Sequence, residues 1–72
     1  MPPLPVCSGA ETIRALGKIG YRAIRTVGSH VRLNCADRPP VTVPLHRELD
    51  RGTLRSILRQ AQLTPEEFIA LL

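Results

Sequence analysis

The chain has 72 residues, with ten Lys or Arg side chains against six Asp or Glu and a net charge of +4 at pH 7. This length predicts one small domain, which buries only about 60% of the surface that its unfolded chain exposes. No apolar run approaches the roughly 18 residues of a membrane-spanning helix, so we expect no membrane partner. The basic balance favours a polyanion or an acidic protein as partner, although a merely solvated surface fits the composition equally well.

The N-terminal segment is rich in proline. It predicts a flexible leader, residues 1–7, ahead of a single domain of residues 8–72. The segment lacks the basic and apolar regions of a secretory signal peptide, so we expect a cytoplasmic protein. Cys7 and Cys35 lie far apart, and the two histidines add no closely spaced ligand pair. We therefore expect no metal site, no cofactor and two thiols that are buried or without a task.

An N-terminal helix is predicted by local capping signals. Ser8-Gly9-Ala10-Glu11 has the S-x-x-E form of a capping box. Apolar residues then recur at helical spacing to about Ile19, and Gly20 is a typical helix C-cap. Arg14 and Lys18 are four residues apart, so they share one face of this helix.

A β-hairpin is predicted to follow the helix. Residues 21–27 form its first strand, but their irregular alternation leaves open whether Arg25 faces the core or solvent. Gly28-Ser29 makes the turn. The six residues from His30 onwards alternate cleanly, which places three apolar side chains on the core face. The same alternation places His30 and Arg32 on the solvent face.

A third strand is predicted after the hairpin. Residues 36–39 form a turn, and residues 41–45 form a short strand. Pro44 indicates that this strand lies at a sheet edge or ends there. Residues 47–52 are predicted to be a linker to the next helix.

Two helices are predicted at the end of the chain. The first follows Asp50 or Thr53 as its N-cap. Its apolar stripe consists of Leu54, Ile57, Leu58 and Ala61. The second begins at Thr64-Pro65-Glu66-Glu67 and packs through Phe68. The predicted fold is therefore α+β, in the order α-β-β-β-α with a short extra C-terminal helix. Its three-stranded antiparallel sheet has the helices packed on one face.

His30 is the candidate catalytic residue. It follows the Gly28-Ser29 turn, which fixes where its side chain points, and histidine ordinarily titrates near neutral pH. Arg25 and Arg32 lie close by and can bind phosphate through their planar guanidinium groups. RNA cleavage requires a proton-transfer group beside phosphate ligands. An exposed strand histidine without a task remains the alternative from its position alone.

A row of arginines is a second candidate RNA-binding surface. Arg51, Arg55 and Arg59 recur every four residues, opposite the apolar stripe. This arginine ridge could bind the phosphates of a nucleic acid or an acidic protein surface. The alternative is a solvated helix face without a partner. Lys18 is a further candidate RNA-binding cation on the first helix. The chain has only two aromatic side chains, which argues against base-stacking platforms.

These segments together resemble a known family. The matching motifs are Ser8-Gly9, Gly20-Tyr21, Arg25-x-x-Gly28-Ser29-His30, Val41-Thr42-Val43-Pro44-Leu45-His46 and Gly52-Thr53-Leu54-Arg55-Ser56-Ile57-Leu58-Arg59-Gln60-Ala61. In this order they resemble HicA, the toxin family of a bacterial toxin–antitoxin pair, also described as YcfA-like. The resemblance implies a fold similar to a double-stranded-RNA-binding domain, in agreement with the predicted element order.

The resemblance also implies an activity. HicA toxins of type II systems are ribosome-independent mRNA endonucleases, or mRNA interferases, which a HicB antitoxin neutralises. The family's catalytic histidine matches His30, and its active-site turn matches Gly28 and Ser29. His46 is a possible accessory residue. We expect mRNA and a HicB-type antitoxin as partners, and no binding of DNA by the chain on its own. The alternative is a non-catalytic RNA-binding or antitoxin-binding module of the same fold.

Overall fold

The computed structural model describes residues 3–72 and has the order α1-β1-β2-β3-α2-α3. The helices are α1 (Gly9–Gly17), α2 (Arg51–Ala61) and α3 (Pro65–Leu71), and the strands are β1 (Arg22–Val27), β2 (His30–Cys35) and β3 (Arg38–Pro44). The strands form one antiparallel sheet in the order β1-β2-β3, so the predicted α+β order and sheet are confirmed. Among residues 3–72, no helix has the length and apolarity to span a membrane.

Each helix begins at a side-chain cap. The Ser8 hydroxyl accepts a hydrogen bond from the Glu11 backbone N–H at 3.0 Å, and the Glu11 carboxylate accepts one from the Ser8 N–H at 2.8 Å. Thr64 makes the same reciprocal capping box at α3. Asp50 caps α2 by accepting from the backbone N–H of Thr53 at 2.7 Å. Because Asp50 is the cap, α2 begins inside the predicted linker.

The buried centre of the sheet is formed by β2 and β3. Its core side chains are Val31, Leu33, Val41 and Val43. In the antiparallel register, Leu33 lies opposite Val41 and Val31 lies opposite Val43. Helices α1 and α2 pack against β3, and the alternate residues of β2 are exposed. The helices therefore cover one face, as predicted, and we call the other face, which carries His30 and Arg32, the open face.

Strand β1 extends beyond the cover of the helices. All six of its residues are exposed, including Ile24 at 57% and Val27 at 65%. Its pairing with β2 shifts between Ala23 and Arg25, so Ile24 is the extra residue of a β-bulge. The bulge is the reason for the irregular alternation in the sequence. Arg25 pairs with Arg32 and lies with it on the open face.

Strand β3 begins three residues earlier and ends one residue earlier than predicted. The turn predicted at residues 36–39 is confined to its first two residues, because Arg38 already pairs with Cys35. The Arg38 guanidinium donates to the carbonyl oxygens of Ala61 at 2.9 Å and Gln62 at 3.2 Å. These bonds tie the start of β3 to the end of α2.

The segment before α1 contributes to the core although it has no regular secondary structure. Leu4 and Cys7 are buried, with exposures of 6% and 3%. The Cys7 carbonyl accepts a hydrogen bond from the Leu49 N–H at 2.8 Å. The prolines predicted a flexible leader for residues 1–7, of which 1 and 2 lie outside the described residues. Within this segment, Leu4 and Cys7 are instead packed against the domain, while Val6 remains 70% exposed.

Candidate functional site

The hairpin turn fixes the position of His30. Gly28 has φ +60° and Ser29 has a negative φ, which is the sign pattern of a type II′ two-residue turn. The Ser29 carbonyl accepts a hydrogen bond from the Leu45 N–H at 2.6 Å, so the turn is tied to the segment after β3. His30 is therefore the first residue of β2, and it lies directly opposite Val27 on one neighbouring strand.

His30 shares the open face with two arginines. Arg25 lies directly opposite Arg32, and Arg32 is two residues from His30 along β2. Side chains directly opposite each other have Cβ atoms about 5 Å apart, and a two-residue step along a strand is about 7 Å. The Arg32 guanidinium donates to the Thr42 hydroxyl at 3.0 Å, which orients it across the face. This arrangement can hold an anion beside an imidazole.

The site residues His30, Arg32 and Thr42 lie between two depressions. One depression, the hairpin recess, has a volume of about 280 Å³ and is lined in addition by Arg25 and Val27. The other, the α2 groove, has a volume of about 590 Å³ and lies between the open face and α2. Its α2 wall consists of Gly52, Thr53, Ser56, Ile57 and Gln60. An extended ligand could thus cross His30 with one part on each side.

The arginine ridge is exposed, as its spacing predicted, but it lies on a different face of α2 from the groove wall. Arg55 and Arg59 line a separate depression of about 450 Å³, the α3 recess, together with Leu63 and Pro65. Each residue turns about 100° around the helix axis, so Arg55 and Ser56 point in clearly different directions. The structure therefore brings Arg25 and Arg32 to His30 and keeps Arg55 and Arg59 away from it.

Lys18 makes a contact within the fold. Its ammonium group donates to the carbonyl oxygen of Leu71 at 2.7 Å, at the C-terminus of α3. A cation in this position stabilises the unpaired carbonyls and the dipole of a helix end. Lys18 lines a small recess with Arg14 and Leu71 rather than the depressions beside His30.

His46 is exposed just after β3, near the start of α2. Its carbonyl oxygen accepts a hydrogen bond from the Gly9 N–H at 2.9 Å, which joins this segment to α1. Hydrogen bonds from Thr53 hold the pKa of Asp50 below its usual value, and the charge of His46 lowers that pKa further. Asp50 lines the α2 groove with His30, so His46 lies within electrostatic range of the groove's edge.

Comparisons with known proteins agree with the resemblance in the sequence. The family model described as the HicA toxin of bacterial toxin–antitoxin matches residues 9–63, which include α1, the sheet and α2. The chain belongs to the HicA toxin family. A solved structure described as a toxin–antitoxin complex from Streptococcus pneumoniae contains a chain similar to this toxin. The two share 33% identity with a TM-score of 0.68, over 78% of this chain and 97% of that chain. No curated protein sequence matches this chain.

The HicA fold also presents groove residues that sequence reasoning did not single out. Gly52, Ser56 and Gln60 are exposed and recur every four residues, on the flank of α2 beside the apolar stripe. Their spacing was visible, but no sequence pattern indicates which flank of a helix faces a site. Within residues 3–72, no three His, Cys, Asp or Glu side chains are grouped as metal ligands.

Proposed function

We propose that this HicA toxin is a ribosome-independent mRNA endoribonuclease that uses His30 and acts in the cytoplasm. The observation that carries the proposal is the position of His30 on the open face, beside Arg25 and Arg32 and between two depressions. Membership of the HicA toxin family supports it. The exposed location leaves His30 without a structural role in the core, so stability does not account for a histidine there.

RNA supplies its own nucleophile for this reaction. The 2′-oxygen attacks the adjacent phosphorus while the bond from phosphorus to the 5′-oxygen breaks, which leaves a 2′,3′-cyclic phosphate and a free 5′-hydroxyl. His30 takes the proton from the 2′-hydroxyl, and water donates a proton to the leaving 5′-oxygen. General base assistance of this kind accelerates a reaction by about a hundred- to ten-thousand-fold. The same imidazole could instead protonate the 5′-oxygen, but one side chain does not do both at once.

The two arginines of the open face stabilise the transition state. The pentavalent phosphorus species carries more negative charge on its oxygens than the starting diester does. Arg25 and Arg32 can donate charge-assisted hydrogen bonds to these oxygens, and the Thr42 contact holds Arg32 in place beforehand. This route requires no metal ion. Gly28 and Ser29 serve as the active-site turn, which sets the position of His30 relative to the phosphate.

The first test compares the wild-type chain with His30→Ala at equal soluble level. We expect only the wild type to arrest growth and degrade transcripts, and we expect purified His30→Ala to lose about a hundredfold or more in RNA cleavage. Asn34→Ala, at another exposed position of β2, is the control, and His46→Ala measures any accessory contribution of the other exposed histidine. Arrest by both the wild type and His30→Ala would favour the non-catalytic RNA-binding alternative.

A HicB-type antitoxin is the proposed inhibitor, and we propose that it covers the open face around His30. The similarity to a chain from a toxin–antitoxin complex supports an antitoxin as partner, and occlusion of His30 would account for inhibition by it. We further propose that the antitoxin covers part of the arginine ridge, which requires an interface that continues around α2 because the ridge faces another direction. Hydrogen exchange should show added protection at the Gly28-Ser29 turn and along the edge strand β1 in the complex, because β2 is already paired on both sides. Unchanged exchange throughout β1, β2 and the turn would contradict occlusion of the site.

A further inference from the structure

The α2 groove has a defined direction relative to His30. The bonds from Arg38 fix the start of β3 beside the end of α2, and His30 lies opposite Pro44 at the other end of β3. Helix α2 therefore runs antiparallel to β3, with Gly52 at the His30 end of the groove and Gln60 at the far end. Eight helical residues span about 12 Å, so the groove is long enough to receive more than one group of a ligand.

The groove wall is polar and uncharged over most of its length. Gly52, Ser56 and Gln60 form one row at intervals of four residues, so the wall changes from no side chain to a hydroxyl to a carboxamide. Buried Ile57 supplies an apolar part of the lining. The carboxylate of Asp50, at the His30 end, already accepts two hydrogen bonds from Thr53.

This chemistry differs from that of a phosphate site. Arg32, on the open face, is the one arginine that lines the α2 groove, and the α2 wall contributes no cation. A carboxamide offers a donor and an acceptor side by side, which matches the hydrogen-bonding edge of a nucleobase. An apolar surface below such groups suits the face of the base.

We propose that the α2 groove binds the nucleobase on one side of the scissile phosphate and that Gln60, assisted by Ser56, selects it. The inference rests on the proposed RNA cleavage at His30. RNA that crosses His30 and Arg32 places the base of one flanking nucleotide over α2 and the base of the other in the hairpin recess. Single-stranded RNA can splay its bases in this manner.

The hairpin recess lacks comparable selecting groups. Its lining combines Val27 with His30 and the two arginines, which the proposed reaction uses for proton transfer and for the phosphate, and with Thr42, whose hydroxyl already accepts from Arg32. It can therefore accept any base against an apolar surface. Base selection is consequently one-sided: the preference lies at the position over α2, and the position across His30 tolerates all four bases.

The test measures kcat/KM for short single-stranded RNAs that carry each of the four bases on either side of one cleavage position. The variants are Gln60→Ala and Ser56→Ala, with Asn34→Ala as the matched control. Asn34 is an exposed amide on β2 outside the α2 groove. Folding of each variant is checked by thermal unfolding, and alanine at an exposed helix position is expected to preserve the helix.

We expect the wild type to prefer one base on one side of the cleavage position. Gln60→Ala should reduce that preference roughly tenfold, because it removes a side chain that makes two hydrogen bonds to one base. Ser56→Ala should reduce it less, and Asn34→Ala should keep it. Unaltered preference in Gln60→Ala, or an equal loss on all RNAs, would overturn the base subsite while leaving the nuclease intact. A wild-type chain that binds but cleaves none of the RNAs would overturn the proposed nuclease, and the subsite with it.

Discussion

Gly9, at the start of α1, lies directly against the backbone of Pro44, the last residue of β3. A Cβ atom at this position would collide with the backbone carbonyl of Pro44. The Gly9 N–H also donates to the His46 carbonyl, so the contact is both steric and hydrogen-bonded. The sequence indicated Gly9 as part of a capping box and of the Ser8-Gly9 family motif, and neither points to Pro44. The contact with Pro44 joins residues far apart in the chain, which local sequence signals do not reveal.

Two glycine substitutions in α1 should have opposite effects. We expect Gly9→Ala to lower the free energy of unfolding by about 1–3 kcal/mol, because the new methyl group meets backbone that can yield only by moving the helix. Gly17→Ala is the control, since nothing lies within 4 Å of a Cβ there, and it should be neutral or stabilising by up to about 1 kcal/mol. Urea unfolding followed by circular dichroism measures both. Equal stability of the two variants would show that α1 does not contact Pro44 in solution.

Among the structural elements, α2 and the hairpin divide the basic charge between two surfaces. Arg25 and Arg32 lie together on the open face, and Arg55 and Arg59 line the α3 recess. The sequence predicted Arg25 and Arg32 as RNA ligands because they lie close to His30, and Arg55 and Arg59 because they recur every four residues opposite the apolar stripe. Only the packing of α2 against β3 shows that one pair faces away from His30.

Neutralising either pair removes the same charge, so the two double variants form a matched comparison. We expect the double variant Arg25→Gln/Arg32→Gln to bind RNA much more weakly. Its plot of log affinity against log salt concentration should be less steep by about 1.4, because two phosphate contacts with a single strand are lost. Arg55→Gln with Arg59→Gln should change the slope much less. Salt titrations of RNA affinity distinguish the pairs, and equal slopes for both would place RNA on the α3 recess as well.

Elements defined by neighbouring residues were the ones that the sequence predicted well. The capping boxes at Ser8 and Thr64 and the alternation from His30 need only a few residues to be recognised. The Ile24 bulge was hidden, because a bulge is a property of two paired strands. The burial of Leu4 and the orientation of the α2 flanks depend on packing between distant segments, so the composition of each segment alone did not predict them.

For the whole molecule, each of the three described helices begins with a hydrogen-bonded carboxylate: Glu11 and Glu67 accept from the backbone N–H of their N-cap residues, and Asp50 is itself the N-cap of α2. The pKa values of Glu11 and Glu67 lie below their usual range because the backbone and side chain of Ser8 and Thr64, respectively, hydrogen-bond the carboxylate. The pKa of Asp50 is lowered by its bonds from Thr53. A lowered folded-state pKa means that ionisation of these groups favours the folded state.

The acid stability of the protein should follow from these three groups. Their contribution is fully present above the unfolded-state pKa values, near 4, and is lost as the pH falls through the lower folded-state values. We expect the melting temperature to change little between pH 7 and 5 and to fall below about pH 4. The variant Glu11→Gln/Asp50→Asn/Glu67→Gln has no charge to lose at these positions, so its melting temperature should fall less steeply. Parallel profiles for the two proteins would assign the acid sensitivity to other groups.

The alternation along β2 assigns neighbouring residues of one strand to different tasks. His30 and Arg32 face the ligand surface, while Val31 and Leu33 fill the core. An insertion or deletion of one residue within β2 would shift the residues beyond it to the opposite face, so that apolar side chains would meet solvent and polar ones the core. Substitutions on the open face leave the core unchanged. We therefore expect related sequences to keep the length of β2 constant.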